Sequence, residues 1–217
     1  MNEILNYFFH PEISMEVLLN DEEKRNWKNG ILKWILIAIL SGLLTVAIYK
    51  VVGVDLESLL TSYYGNMIQN LVAANINEGF IWLAIAGLSI GEILVSATIR
   101  TILWSILIYI VSKILRDSIR MNQIVKMSVF AILTWIASQV FFNAAVCFSM
   151  ICPIQTINEM LVSLGMLLSY WNLVLFIIGY SIVSKATFLK GCMIVLVIQG
   201  IIWGIANAFP MLQIFLI

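Results

Sequence analysis

The sequence predicts an all-α membrane protein, a polytopic bundle of about five transmembrane helices preceded by an amphipathic interfacial helix. Three observations predict it. Of 217 residues, 62% are hydrophobic and only 11% charged, whereas soluble domains carry roughly 45–50% apolar and about 25% charged residues. The chain holds five apolar runs, and a bilayer core takes about 20 helical residues. Its basic residues gather on alternate connections between those runs, the pattern that orients membrane helices.

Residues 1–30 form a hydrophilic segment that carries acids as well as bases and has no apolar core, so it does not suit a cleaved signal peptide. Within it, Pro11 stands where a helix favours its first residue, and Glu12 suits the positive end of the helix dipole. Ile13, Val17 and Leu18 then share one face against Glu12, Glu16 and Asn20, which predicts a short helix at the membrane surface or against the bundle. The run Asp21-Glu22-Glu23-Lys24-Arg25 reads as its solvated exit.

Residues 31–217 make the transmembrane domain. The first span is about 31–50, with Trp27, Trp34 and Tyr49 suited to interfacial positions and Lys28, Lys33 and Lys50 able to snorkel. A more polar loop follows, where Leu56, Leu59, Leu60 and Tyr63 fall at helical spacing and suggest a re-entrant or surface-lying helix. The stretch from Gly79 to Leu115 supplies the second span, about 90–111, with 79–89 as a lead-in broken near Gly87 or Gly91. The third span is about 124–149, the fourth 164–184 and the fifth 192–212, the last with Pro210 near its end. Gly200 and Gly204, like Gly87 and Gly91, form small-residue steps that signal close helix packing.

Ten of the twelve Lys and Arg lie in the amino-terminal segment through Lys33, the second-to-third connection and the fourth-to-fifth connection. Asp55, Glu57, Glu78 and Glu159 occupy the other side, which puts the amino terminus in the cytoplasm and the carboxyl terminus outside.

The catalytic inventory is thin. His10 is the only histidine and precedes the spans, so a Ser-His-Asp triad in the membrane is excluded. The sequence has no HExxH, no CxxC and no Walker A loop, and neither a metal nor a cofactor is expected. Zero net charge without a basic tract argues against nucleic acid as a partner. Cys147 and Cys152 are close enough to bridge, though small apolar filling is the simpler reading.

What remains is a set of polar groups within the spans. Glu92, Ser96 and Arg100 are spaced i, i+4, i+8 and share a helix face. A charge near a helix centre costs about 3 kcal/mol on insertion scales, so each needs a partner or a task. Glu92 and Arg100 are about 12 Å apart along the axis, too far for direct pairing. Gln139, Asn143, Asn172, Gln199 and Asn207 on the other spans are the candidate partners. Together these eight residues either lock the bundle by interhelical hydrogen bonds or line a polar cavity.

The order of parts resembles the bacterial branch of the Yip family of integral membrane proteins. The likeness is carried by the helix from His10-Pro11 to Leu19, the basic connection into the third span (Ser112 to Leu133) and the hairpin of the last two spans (Trp171 to Ile205). It implies a five-span, non-enzymatic protein of the bacterial cell membrane that accompanies other membrane subunits, and it supplies no catalytic or binding residues. The expectation is therefore an accessory or scaffold protein in the lipid bilayer that assists a complex such as an ABC-type peptide or toxin exporter. The alternative is a permease subunit with its own polar translocation pathway.

Overall fold

The computed structural model describes residues 10–20, 27–52, 78–151 and 155–209. They form six helices: α1 (Pro11–Asn20), α2 (Trp27–Val52), α3 (Glu78–Ile114), α4 (Met121–Ile151), α5 (Gln155–Ser184) and α6 (Phe188–Ala208). Helices α2 to α6 are long and apolar enough to cross a membrane. The chain is thus an integral membrane protein by length and composition. The 51–77 loop beyond Val52, where a re-entrant or surface-lying helix is expected, the Cys152-Pro153 turn, Pro210 and residues 21–26 lie outside the described residues, and so do Cys152 and the Cys147 side chain, the two thiols close enough in sequence to bridge.

Helix α4 is the hub. It packs against α2, α3 and α5 and touches α1, while α6 packs on α5 and α3. Its sequence explains this position, because Ile124, Met127, Phe130, Ala131, Ile132, Trp135 and Ile136 cover several faces and all are buried. A buried hydrogen bond from Trp34 Nε1 to the Val129 carbonyl, 2.9 Å, ties α2 to it. Trp34 is only 3% exposed, so its ring packs against protein. Tyr49 is buried as well.

Two expectations about glycine are corrected. Helix α3 runs unbroken for 37 residues through Gly87 and Gly91, about 55 Å against a hydrocarbon core of about 30 Å. A β-carbon added at Gly87, Gly91, Gly200 or Gly204 would meet nothing within 4 Å, so these steps face outward. The close approaches lie elsewhere. At Gly42 a β-carbon would come 3.0 Å from the Ala86 carbonyl oxygen, and at Gly191 it would come 2.9 Å from that of Ile177. These glycines let α2 lie on α3 and α6 lie on α5.

α1 packs against α5 and α4. Among its described side chains Met15 is buried, 0% exposed, and Ile13 is 61% exposed; the side chains of Val17 and Leu18, the rest of the expected apolar face, lie outside the described residues.

The ends of α3 and α5 share one closing motif. After α3, Arg116 takes φ 58°, its N–H donates to Lys113 and the Asp117 N–H donates to Ser112. After α5, Lys185 takes φ 53°, with bonds from Lys185 to Ile182 and from Ala186 to Ser181. This left-handed closure satisfies the last carbonyls of a helix and usually employs glycine. Thr187 then caps α6 by accepting from the Lys190 N–H. The two reversals bring Asp117 beside the α5–α6 hairpin. Its carboxylate accepts from Lys190 Nζ at 2.7 and 2.9 Å and from the Tyr180 hydroxyl at 2.5 Å.

Candidate functional site

The stripe of Glu92, Ser96 and Arg100 on α3 turns inward as it descends. Glu92 is exposed, Ser96 is 3% exposed and Arg100 is 9% exposed. Trp135 on α4 packs beside it, with the Arg100 ζ-carbon 4.1 Å from the indole ring centroid. Such a cation–π contact is worth up to about 2 kcal/mol when desolvated, which offsets part of the cost of placing a charge at this depth.

Among the described residues two cavities lie along the stripe, the outer one mainly polar and the inner one mixed. The outer one, about 90 Å³, is bounded by Ser89, Glu92 and Ser96 of α3 and by Trp135, Gln139 and Asn143 of α4. The inner one, about 170 Å³, is bounded by Arg100 and Trp104 of α3, Ser169 and Asn172 of α5, and Gln199 of α6. Trp135 belongs to both neighbourhoods, since it lines the outer cavity and lies under the guanidinium of Arg100, which lines the inner one. Trp104 is held by stacking on Phe176 of α5, centroids 4.2 Å apart.

The eight sequence-selected residues therefore divide into two groups and one outlier. Glu92, Ser96, Gln139 and Asn143 line the outer cavity. Asn143 also donates to Ser41 Oγ at 3.3 Å, which adds α2 to that cluster. Arg100, Asn172 and Gln199 line the inner cavity. Asn207 stands apart, exposed, with its amide donating back to the Trp203 carbonyl one turn earlier. Arg100 does not find the expected side-chain partners. Among the described residues its Nε and Nη2 atoms, both enclosed, have no hydrogen-bond partner, and neither has Asn172 Oδ1.

Comparison with family models, with curated proteins and with solved structures returns no match.

Depth follows from the helix registers. Arg100 lies 14 residues before the end of α3 at Ile114, Asn172 lies 12 before Ser184, and Gln199 lies 11 after Phe188. All three are about 16–21 Å from the end of the bundle that carries the basic connections, near the middle of a hydrocarbon layer of about 30 Å. Among the described residues no group of three or more His, Cys, Asp and Glu could hold a metal.

Sequence reasoning missed Trp135, Ser169 and Trp104. Trp135 carries a weak signal, because an aromatic residue within a polar-studded span is a good partner for an otherwise unpaired arginine.

Proposed function

We propose that the chain is a permease-type membrane subunit, non-enzymatic, whose polar pathway runs along the Glu92–Arg100 stripe of α3. The observation that carries this reading is the Arg100 guanidinium, held at mid-bilayer depth beside a cavity with two enclosed nitrogens lacking hydrogen-bond partners among the described residues. A residue that only locked the bundle would spend those donors on neighbouring side chains, because an unmet buried donor costs about 1–3 kcal/mol. Buried intramembrane charges of this kind mark substrate pathways. The test is proteoliposomes holding the purified chain, assayed for release of an entrapped small anionic dye and for transbilayer movement of an anionic fluorescent lipid analogue. Movement of either that falls at least about tenfold in Arg100→Leu and Glu92→Gln is expected, and rates equal to those of protein-free vesicles refute it.

A second reading is favoured by a different observation, the outward-facing Gly200–Gly204 step on α6. Small residues at this spacing let another membrane helix approach closely, which suits an accessory subunit of a larger complex. The Yip-family likeness makes an ABC-type peptide or toxin exporter in the bacterial cell membrane the first partner to try, with the amino terminus on the cytoplasmic side. Co-purification in mild detergent tests it. A stable partner lost in Gly200→Ile but kept in Gly87→Ile supports the reading, and recovery of a lone protomer refutes it.

A further inference from the structure

We propose that the inner cavity is a binding site for an oxyanion, a carboxylate or phosphate, carried on an apolar chain that enters from the bilayer between α5 and α6. The inference rests on the pathway reading for its setting and adds the ligand class.

The charge comes first. Arg100 is more than nine-tenths buried and its guanidinium stays protonated. Among the described residues no carboxylate pairs with it, because Glu92 lines the outer cavity and Asp117 is engaged by Lys190 and Tyr180.

Shape comes next. The Nε and Nη2 atoms form one edge of the planar guanidinium fork, and both are unpartnered among the described residues. That edge carries two parallel N–H groups, the arrangement that grips a carboxylate or phosphate through two oxygens, and it is enclosed beside the cavity that Arg100 lines, so the bound group reaches it by a small shift of the lining side chains. The guanidinium lies over the Trp135 ring, its ζ-carbon 4.1 Å from the centroid, which holds it in place. Ser169 and Gln199 line the same space, and the unpartnered Asn172 Oδ1 is an acceptor for an N–H or O–H next to the bound group.

Size and access set the remainder. A cavity of about 170 Å³ is smaller than the roughly 300–1,000 Å³ of pockets that enclose whole drug-sized ligands. It holds a headgroup and not a tail. Tyr170 and Trp203 line it and are 67% and 60% exposed, so its mouth opens on the outer surface of the bundle. At that depth the outer surface faces hydrocarbon, which receives the chain.

The test is binding to the full chain in neutral micelles, read by thermal shift and intrinsic tryptophan fluorescence with four probes. Decanoate and decyl phosphate carry both features, 1-decanol the chain without the charge, and inorganic phosphate the charge without the chain. Decanoate and decyl phosphate are expected to bind, with 1-decanol and inorganic phosphate at least about tenfold weaker. Arg100→Lys, which keeps the charge and loses the paired edge, should weaken decyl phosphate about tenfold, and Arg100→Gln more. Lys113→Gln, a surface cation, should change nothing. Asn172→Ala provides a milder variant should Arg100→Gln misfold, and it too should weaken binding. Unchanged affinity in Arg100→Lys and Asn172→Ala overturns the proposal, as does 1-decanol or inorganic phosphate binding as tightly as decyl phosphate. Binding as expected without flux in proteoliposomes overturns the pathway reading and leaves this site standing.

Discussion

Replacing Asp117 with asparagine tests how the basic end of the bundle is held together. The side chain is 13% exposed and that of Lys190 is 38% exposed, while Tyr180 is 0% exposed. An open ion pair is worth about 0–1 kcal/mol and a hydrogen bond to a charged group about 1.5–3. Asparagine keeps one acceptor oxygen for Tyr180 or Lys190, and water reaches Lys190, so the expected loss is about 1–2 kcal/mol. Burial pushes the Asp117 carboxyl up, but the hydrogen bonds from Lys190 and Tyr180 and the Lys190 charge outweigh it, so it titrates below its ordinary 3.8. Its contribution is therefore complete above about pH 3.8, where an unfolded carboxyl is ionised, and is lost as pH falls through the lower folded value. Equilibrium unfolding in mixed detergent micelles, followed from about pH 7 down to about pH 3, measures both effects. Asp117→Asn should be less stable at neutral pH and should lose part of the acid-induced drop. Stability within a few tenths of a kcal/mol of the parent, with an unchanged acid limb, would refute the clasp as a structural tie.

Lys185→Gly and Arg116→Gly should each stabilise the fold by roughly 0.5–1 kcal/mol, since both residues occupy a left-handed backbone that glycine adopts without cost; unfolding midpoints below the parent would contradict this. Gly42→Val should destabilise by about 1–3 kcal/mol by forcing α2 away from the Ala86 carbonyl and Ile90, whereas Gly87→Ala should be neutral or gain up to about 1 kcal/mol. Trp34→Phe should cost about 0.5–1.5 kcal/mol through loss of the bond to the Val129 carbonyl, readable in the same unfolding assay.

The five membrane helices were legible because length and hydropathy are set by the bilayer, not by the neighbours. The direction in which each face points was not. In lipid the outside of the bundle is as apolar as its inside, so the alternation that marks a buried face in water is missing from α3, which is apolar nearly all round. That is why Gly87 and Gly91 looked like packing steps and proved to be open, while Gly42, in a less suggestive context, marks a real close approach. The polar residues fared better, because a polar group within a span must face protein or a cavity. Arg100, Asn172 and Gln199 meet at one level, as do Glu92, Ser96, Gln139 and Asn143 at another. Their division into two cavities depends on the Trp135 ring, whose place comes from α4 packing and not from any local pattern. The Asp117 clasp was hidden too, because it joins residues 63 and 73 positions apart through two tight reversals.

On the pathway reading, Arg100 supplies an unspent positive charge to the mid-membrane cavity that it lines. This is tested most directly by thiol modification of Asn172→Cys in a background without the native cysteines. An anionic methanethiosulfonate should react faster than a cationic one by on the order of tenfold, given a unit charge lining the same cavity in a low-dielectric setting. That preference should vanish when Arg100 is also changed to glutamine, and Leu167→Cys on the outer surface should show none. Equal rates for the two reagents at Asn172→Cys, or a thiol there as unreactive as the one in Leu167→Cys, would contradict the account.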